Sequence, residues 1–166
     1  TNEFVAHKFP KLDKSPMDAA AYPTSWRVSD KLVKIVYSRP QLKGRAMATL
    51  VQGQNGNPWR TGANEAPEIT FYKDVVFGDK EVKAGTYTLF TMAGEKTWTL
   101  ILSSATNVWG SYFYNQEQDV ARVEATVSTS EKPIEAFSIV FDGKDMEATM
   151  YLGWENTIVS VPIKAN

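Results

Sequence analysis

Thr86-Tyr87-Thr88-Leu89-Phe90-Thr91-Met92, Ala93-Gly94-Glu95-Lys96, Thr97-Trp98-Thr99-Leu100-Ile101-Leu102-Ser103: two runs rich in β-branched, aromatic and aliphatic residues flank a short polar link. Tyr87 and Leu89 alternate with threonines, as Trp98, Leu100 and Leu102 do in the second run. Successive side chains of a strand leave on opposite faces, so period two marks a half-buried strand. A glycine-bearing link between two such runs predicts an antiparallel hairpin.

The same pattern extends in both directions. Upstream, Leu32–Ser38 sets Val33, Ile35 and Tyr37 on one face, Ala46–Val51 reads as a short apolar strand, and Ile69–Phe77 as another that ends at Gly78-Asp79-Lys80. Gln52–Pro58 is a Gly/Asn turn cluster. Downstream, Val120–Ser128 alternates Ala121, Val123, Ala125 and Val127 with polar residues. Phe137–Phe141 and Met146–Leu152 are expected to pair across Asp142-Gly143-Lys144-Asp145. Thr157–Ile163 closes the chain, with Pro162 suggesting a sheet edge. No long helical pattern competes. The expectation is an all-β protein, a single antiparallel β-sandwich of about eight or nine strands spanning 26–166. Residues 1–25, broken by Pro10, Pro16 and Pro23, read as an extended N-terminal arm in which Met17–Tyr22 has the composition of a helical turn.

Composition removes several function classes. The 166 residues are 43% hydrophobic and 22% charged, with a formal charge of -1. The sequence pI is about 5.9. That balance carries no basic footprint for nucleic acid. No apolar run approaches the roughly 18 residues of a membrane-crossing helix. With no cysteine and a single histidine, His7, in the arm, neither a disulfide framework nor a cysteine- or histidine-rich metal site is available. No cofactor is expected. A start at Thr1 fits a signal segment removed upstream.

The chemistry concentrates in Pro58-Trp59-Arg60-Thr61-Gly62-Ala63-Asn64-Glu65, which has no strand alternation. Loops that carry this many functional groups on a rigid scaffold commonly form sites. Trp98 reads as core. Trp59 and Trp109 read either as packing or as ligand contact. Three readings are open. A binding module would hold a small polar or carbohydrate ligand on Arg39, Arg45, Trp59, Arg60, Asn64, Glu65, Trp109 and Tyr112. A glycoside-type hydrolase would use Glu65 with Asp119 or Glu155, two carboxylates facing one cleft as sugar chemistry requires. A structural corner would instead pair Arg60 with Glu155 beneath Trp59 and Trp154. No nucleophilic triad or phosphate-cradling loop occurs.

The motifs have a family likeness. Tyr37-Ser38-Arg39-Pro40, Lys43-Gly44-Arg45 and Trp59–Glu65 resemble a bacterial family catalogued as domain of unknown function 2911. The likeness continues through Ala84–Tyr87, Leu89–Thr91, Trp98-Thr99, Trp109-Gly110, Asp119 with Arg122-Val123, Trp154–Thr157 and Val161–Ile163. It covers roughly residues 26 to 166. The resemblance implies an exported protein, periplasmic or extracellular, since members occur mostly in Bacteroidetes, usually behind a secretion signal. It implies no activity and no cofactor. The chain departs from the family at Ala66-Pro67, where Ala-Thr is common, and at Gln52–Asn57, where a Pro-Tyr-Gly turn is common.

Overall fold

The central hairpin forms as its alternation predicts, and the rest of the sheet grows from it. In the computed structural model, which describes residues 3–53 and 56–166, β6 (Gly85–Met92) pairs antiparallel with β7 (Thr97–Ser103), Leu89 opposite Leu102 and Thr91 opposite Leu100. Before them in the chain come β1 (Met17–Tyr22), β2 (Val33–Ser38), β3 (Glu68–Phe71), β4 (Val75–Phe77) and β5 (Lys80–Val82). After them come β8 (Asp119–Lys144) and β9 (Glu147–Ala165). All pairings are antiparallel, in one continuous sheet of order β1-β2-β3-β6-β7-β8-β9-β4-β5.

The long β8–β9 hairpin folds that sheet back on itself. Its register breaks between Thr129 and Ile134 and again between Ile134 and Ser138, opposite Gly153–Thr157. Pro133, which has no N–H to give a ladder, lies within the break. The distal half of the hairpin then reaches both ends of the sheet. At one end the Tyr37 hydroxyl accepts from Ile139 N (2.8 Å) and the Tyr22 hydroxyl donates to Asp145 O (2.8 Å). At the other, Ala165 N donates to Met146 O (3.0 Å). The inward residues of both halves merge into one core, with Ile35, Phe71, Phe77, Leu100, Phe137, Met150 and Trp154 among its members.

Several sequence expectations are corrected. Ala46–Val51 is not a strand: Met47–Leu50 forms a short helix, α2, because no neighbouring strand edge takes its backbone. Met17–Tyr22 is not a helical turn but β1, hydrogen-bonded to β2 from Met17–Ser38 to Tyr22–Val33, so the sheet begins inside the stretch read as an arm. A four-residue helix, α1 (Glu3–Ala6), precedes it. Ile69–Phe77 divides into β3 and β4, which lie in different parts of the sheet. The second hairpin turns later than its glycine suggested, at Asp145-Met146, with Lys144 opposite Glu147 and Phe141 opposite Met150. β9 is interior rather than an edge, between β8 and β4. Pro162 is tolerated there because it lies just past the Phe77–Ile163 pair that ends the β4 ladder, where its carbonyl still accepts from Gly78 N (2.8 Å).

Candidate functional site

Residues 59–66 are held by short bridges at both ends and turn sharply between them. Trp59 exchanges two backbone hydrogen bonds with Thr91 on β6 (2.8 and 3.0 Å). At the far end Glu65 bridges Trp109, Ala66 N donates to Val108 O (3.1 Å) and Gly110 N donates to Asn64 O (2.9 Å). The backbone between is left-handed at Thr61 (φ 52°), Gly62 (φ 143°) and Asn64 (φ 58°). Gly62 is required, since a Cβ there would lie 2.8 Å from Ser38 O. Thr61 is wholly buried, and its hydroxyl shares a 2.7 Å hydrogen bond with that of Thr91.

Trp59 is a core residue, only 4% exposed, so packing takes most of its ring. It stacks on Trp154 (5.8 Å between centroids, 12° between planes) and meets Trp98 and Phe137 edge-on (6.3 and 5.2 Å). The Arg60–Glu155 pair expected beneath those tryptophans does not form. Glu155 instead accepts from Met47 N (2.9 Å), capping α2 where Ala46 supplies no side-chain cap. Asp119 is engaged elsewhere, accepting from Arg122 Nε (2.6 Å) and from the Tyr114 hydroxyl (2.7 and 2.8 Å). Burial, and then donation to Asp119, push the Tyr114 hydroxyl up to about 12. Glu65 is exposed. None of these three carboxylates is in the wall of a cavity described below.

The other ligand-binding candidates also separate. Arg39 spans the fold, donating to Phe137 O (3.0 Å), Ser138 Oγ (2.9 Å) and Asp18 Oδ2 (3.2 Å). Arg45 is spent on its own turn, donating to Leu42 O (2.9 Å) and Gln41 O (2.8 Å). Asn64 is half-buried, its Nδ2 donating to Asp13 Oδ1 (3.3 Å), and it lines no cavity here. Trp109 is 61% exposed and borders a cavity of only about 20 Å³.

What does come together is Arg60 and Tyr112. They share the wall of a cavity of about 200 Å³ with Thr49, Leu50, Gln52, Gly53, Trp59 and Ser111. Asn57 Nδ2 donates to Ser111 O (2.9 Å), tying the turn cluster to the 109–114 loop. On the other side of Gln52-Gly53 lies a groove of about 500 Å³, between α2 and the β6–β7 turn. Met47, Val51, Asn57, Met92, Glu95 and the tryptophans 59 and 98 contribute to its wall. Of the turn cluster, Gln54 and Asn55 lie outside the described residues. Sequence reasoning missed Thr49, Gln52 and Ser111, and reading α2 as a strand is what hid the first.

The class so defined is an all-β protein whose folded sheet presents a polar cavity and a ligand-sized groove at one loop cluster. The chain belongs to the family described as "Protein of unknown function (DUF2911)", whose model matches residues 15–163 and so takes in β1 and the whole 59–66 segment. No curated protein matches the chain, and no solved structure does. Among the described residues no helix is long and apolar enough to cross a membrane.

Proposed function

We propose that this protein is an exported binding module that takes a small polar or carbohydrate-like ligand beside the Trp59–Glu65 segment. The observation that carries the reading is the pair of concavities meeting at Gln52, Gly53 and Trp59, the larger of about 500 Å³, a volume suited to a small organic ligand. Its wall mixes indole, thioether, amide, hydroxyl and carboxylate groups, the mixture that orients a polar ligand on an apolar surface. The exported location rests on the family resemblance, and fractionation of the natural host tests it.

A glycan array with a thermal-shift screen is the direct test of binding. Ala48, an exposed residue on the groove wall, supplies the control. Ala48→Trp fills the groove without entering the core, so it is expected to abolish binding while leaving the unfolding temperature unchanged. Silence across both screens, or binding indifferent to Ala48→Trp, would count against the groove.

A further inference from the structure

Arg60 is the exception among the arginines packed into this fold. Arg39, Arg45 and Arg122 each direct Nε–H at a carbonyl or carboxylate oxygen, at 3.0, 2.9 and 2.6 Å. Arg60 Nε is buried with no hydrogen-bond partner among the described residues, and no carboxylate there lies within 4.0 Å of its guanidinium. Among the described residues the cavity it lines has no acidic residue in its wall. A guanidinium is always charged and offers five donors, so a buried Nε–H without a partner is costly and marks a side chain the protein itself does not satisfy.

We propose that Arg60 receives the carboxylate of an acidic ligand, with a sugar acid of the uronate type as the ligand class. This rests on the binding reading above and assigns that site its chemistry. Arg60 as a whole is half-buried and only its Nε is sealed, so the two Nη groups are the ones that meet the cavity, a planar fork that matches the two oxygens of a carboxylate. Charge selects carboxylate over phosphate. Among the described residues Arg60 is the only cation in the wall, one positive charge for one negative, whereas a phosphate dianion would leave a charge unbalanced. Thr49, Gln52 and Ser111 line the same cavity with hydroxyl- and amide-bearing side chains, and Tyr112, 57% exposed, offers a ring face and a hydroxyl. The cavity, at about 200 Å³, suits an acid group and a few atoms around it. The groove that shares Gln52, Gly53 and Trp59 has the volume for the rest of a larger ligand.

The test compares D-glucuronate and D-galacturonate with their neutral partners, glucose and galactose, by calorimetry, and follows the arginine Nε–H resonances by NMR. Uronates are expected to bind at least about tenfold tighter than the neutral sugars, a difference of about 1.4 kcal/mol, and to move the one Nε–H resonance that Arg60→Lys removes. Arg60→Gln is expected to lose that preference. Without ligand it should unfold at the same temperature as the parent or higher, because it removes a buried donor that has no partner. Neutral sugars binding as well as acids, with Arg60→Gln indifferent, would overturn the acid assignment and leave the binding reading standing. A fall of several degrees in the unfolding temperature of Arg60→Gln would overturn it too, by making Arg60 a structural group. Silence of all four sugars with an unmoved Arg60 resonance also overturns the assignment. The wider reading falls only if the glycan and thermal-shift screens are silent as well.

Discussion

At the scale of the residue, two side chains illustrate how burial decides role. Trp59 looked like a loop aromatic free to stack on a ligand, but its ring is enclosed by Trp98, Phe137 and Trp154. Trp59→Ala is therefore expected to cost about 3–5 kcal/mol in urea unfolding, the range for deleting a large buried aromatic. Tyr114 is the opposite case, a polar residue given a fixed task. Its hydroxyl donates to Asp119 and accepts from Arg122 Nη2 (2.8 Å), closing a triangle that pins the 109–118 loop to the start of β8. Its folded value, raised from 10.0 to about 12, means that the protonated hydroxyl is favoured by the fold. The stability it contributes is present in full below pH 10 and is lost as pH rises from 10 through about 12. The urea midpoint should fall across that window, and Tyr114→Phe should flatten part of the fall. Burial raises Tyr37 in the same direction, so some alkaline loss should persist in the variant.

At the scale of the element, the 59–66 segment is stable because its buried polar groups answer one another. Thr61 Oγ1 and Thr91 Oγ1 form a sealed pair. Thr91→Val leaves the Thr61 hydroxyl with only a long 3.5 Å contact to Trp59 O, and is expected to cost about 1–3 kcal/mol. Adding Thr61→Val should recover part of that loss, since removing both partners strands neither; a double-mutant cycle without coupling would contradict the pairing. α2 is a single turn that could not persist alone. It holds through Glu155, which comes from the bend of β9, where its own backbone is left-handed (φ 52°). Glu155→Ala should cost about 0.5–2 kcal/mol, the range for removing a cap, and should loosen the wall that α2 gives the groove. Faster hydrogen exchange at Met47 N would register it.

At the scale of the whole molecule, the fold depends on contacts that join the two ends of one long sheet. Arg39 is the main side-chain link at the β1–β2 end, reaching Phe137 O and Ser138 Oγ on β8 while pairing with Asp18 on β1. Its charge pair is about one-third to one-half exposed, so its Coulomb contribution is small. The oriented bonds to β8 matter more. Arg39→Met should accelerate hydrogen exchange in β1 and leave the β6–β7 amides at the global rate, because β1 is an edge strand and β6–β7 lies at the centre. Uniform acceleration across the sheet would mean that Arg39 supports the fold as a whole instead.

The strand content was legible because period-two alternation is a local property: β2 and the first half of β8 show their buried face in their own residues, whereas β6 and β7 are buried on both faces along Thr88–Thr91 and Leu100–Ser103. The hairpin turns were legible for the same reason, to within their register. What the residues could not express locally was which backbone edge each segment would find. Met17–Tyr22 and Ala46–Val51 are both short and small-residue-rich, yet the first meets β2 and becomes a strand while the second meets none and coils. The site followed the same division. Trp59–Glu65 could be recognised as unusual from its composition, but the polar candidates inside and outside it were drawn apart by their partners: Phe137 for Arg39, Asp13 for Asn64 and Met47 for Glu155, all distant in the chain, and Arg122, three residues on, for Asp119. Only the folded sheet decided that Arg60 Nε would be buried without an answering oxygen, because pairing depends on which groups packing brings within reach of one another.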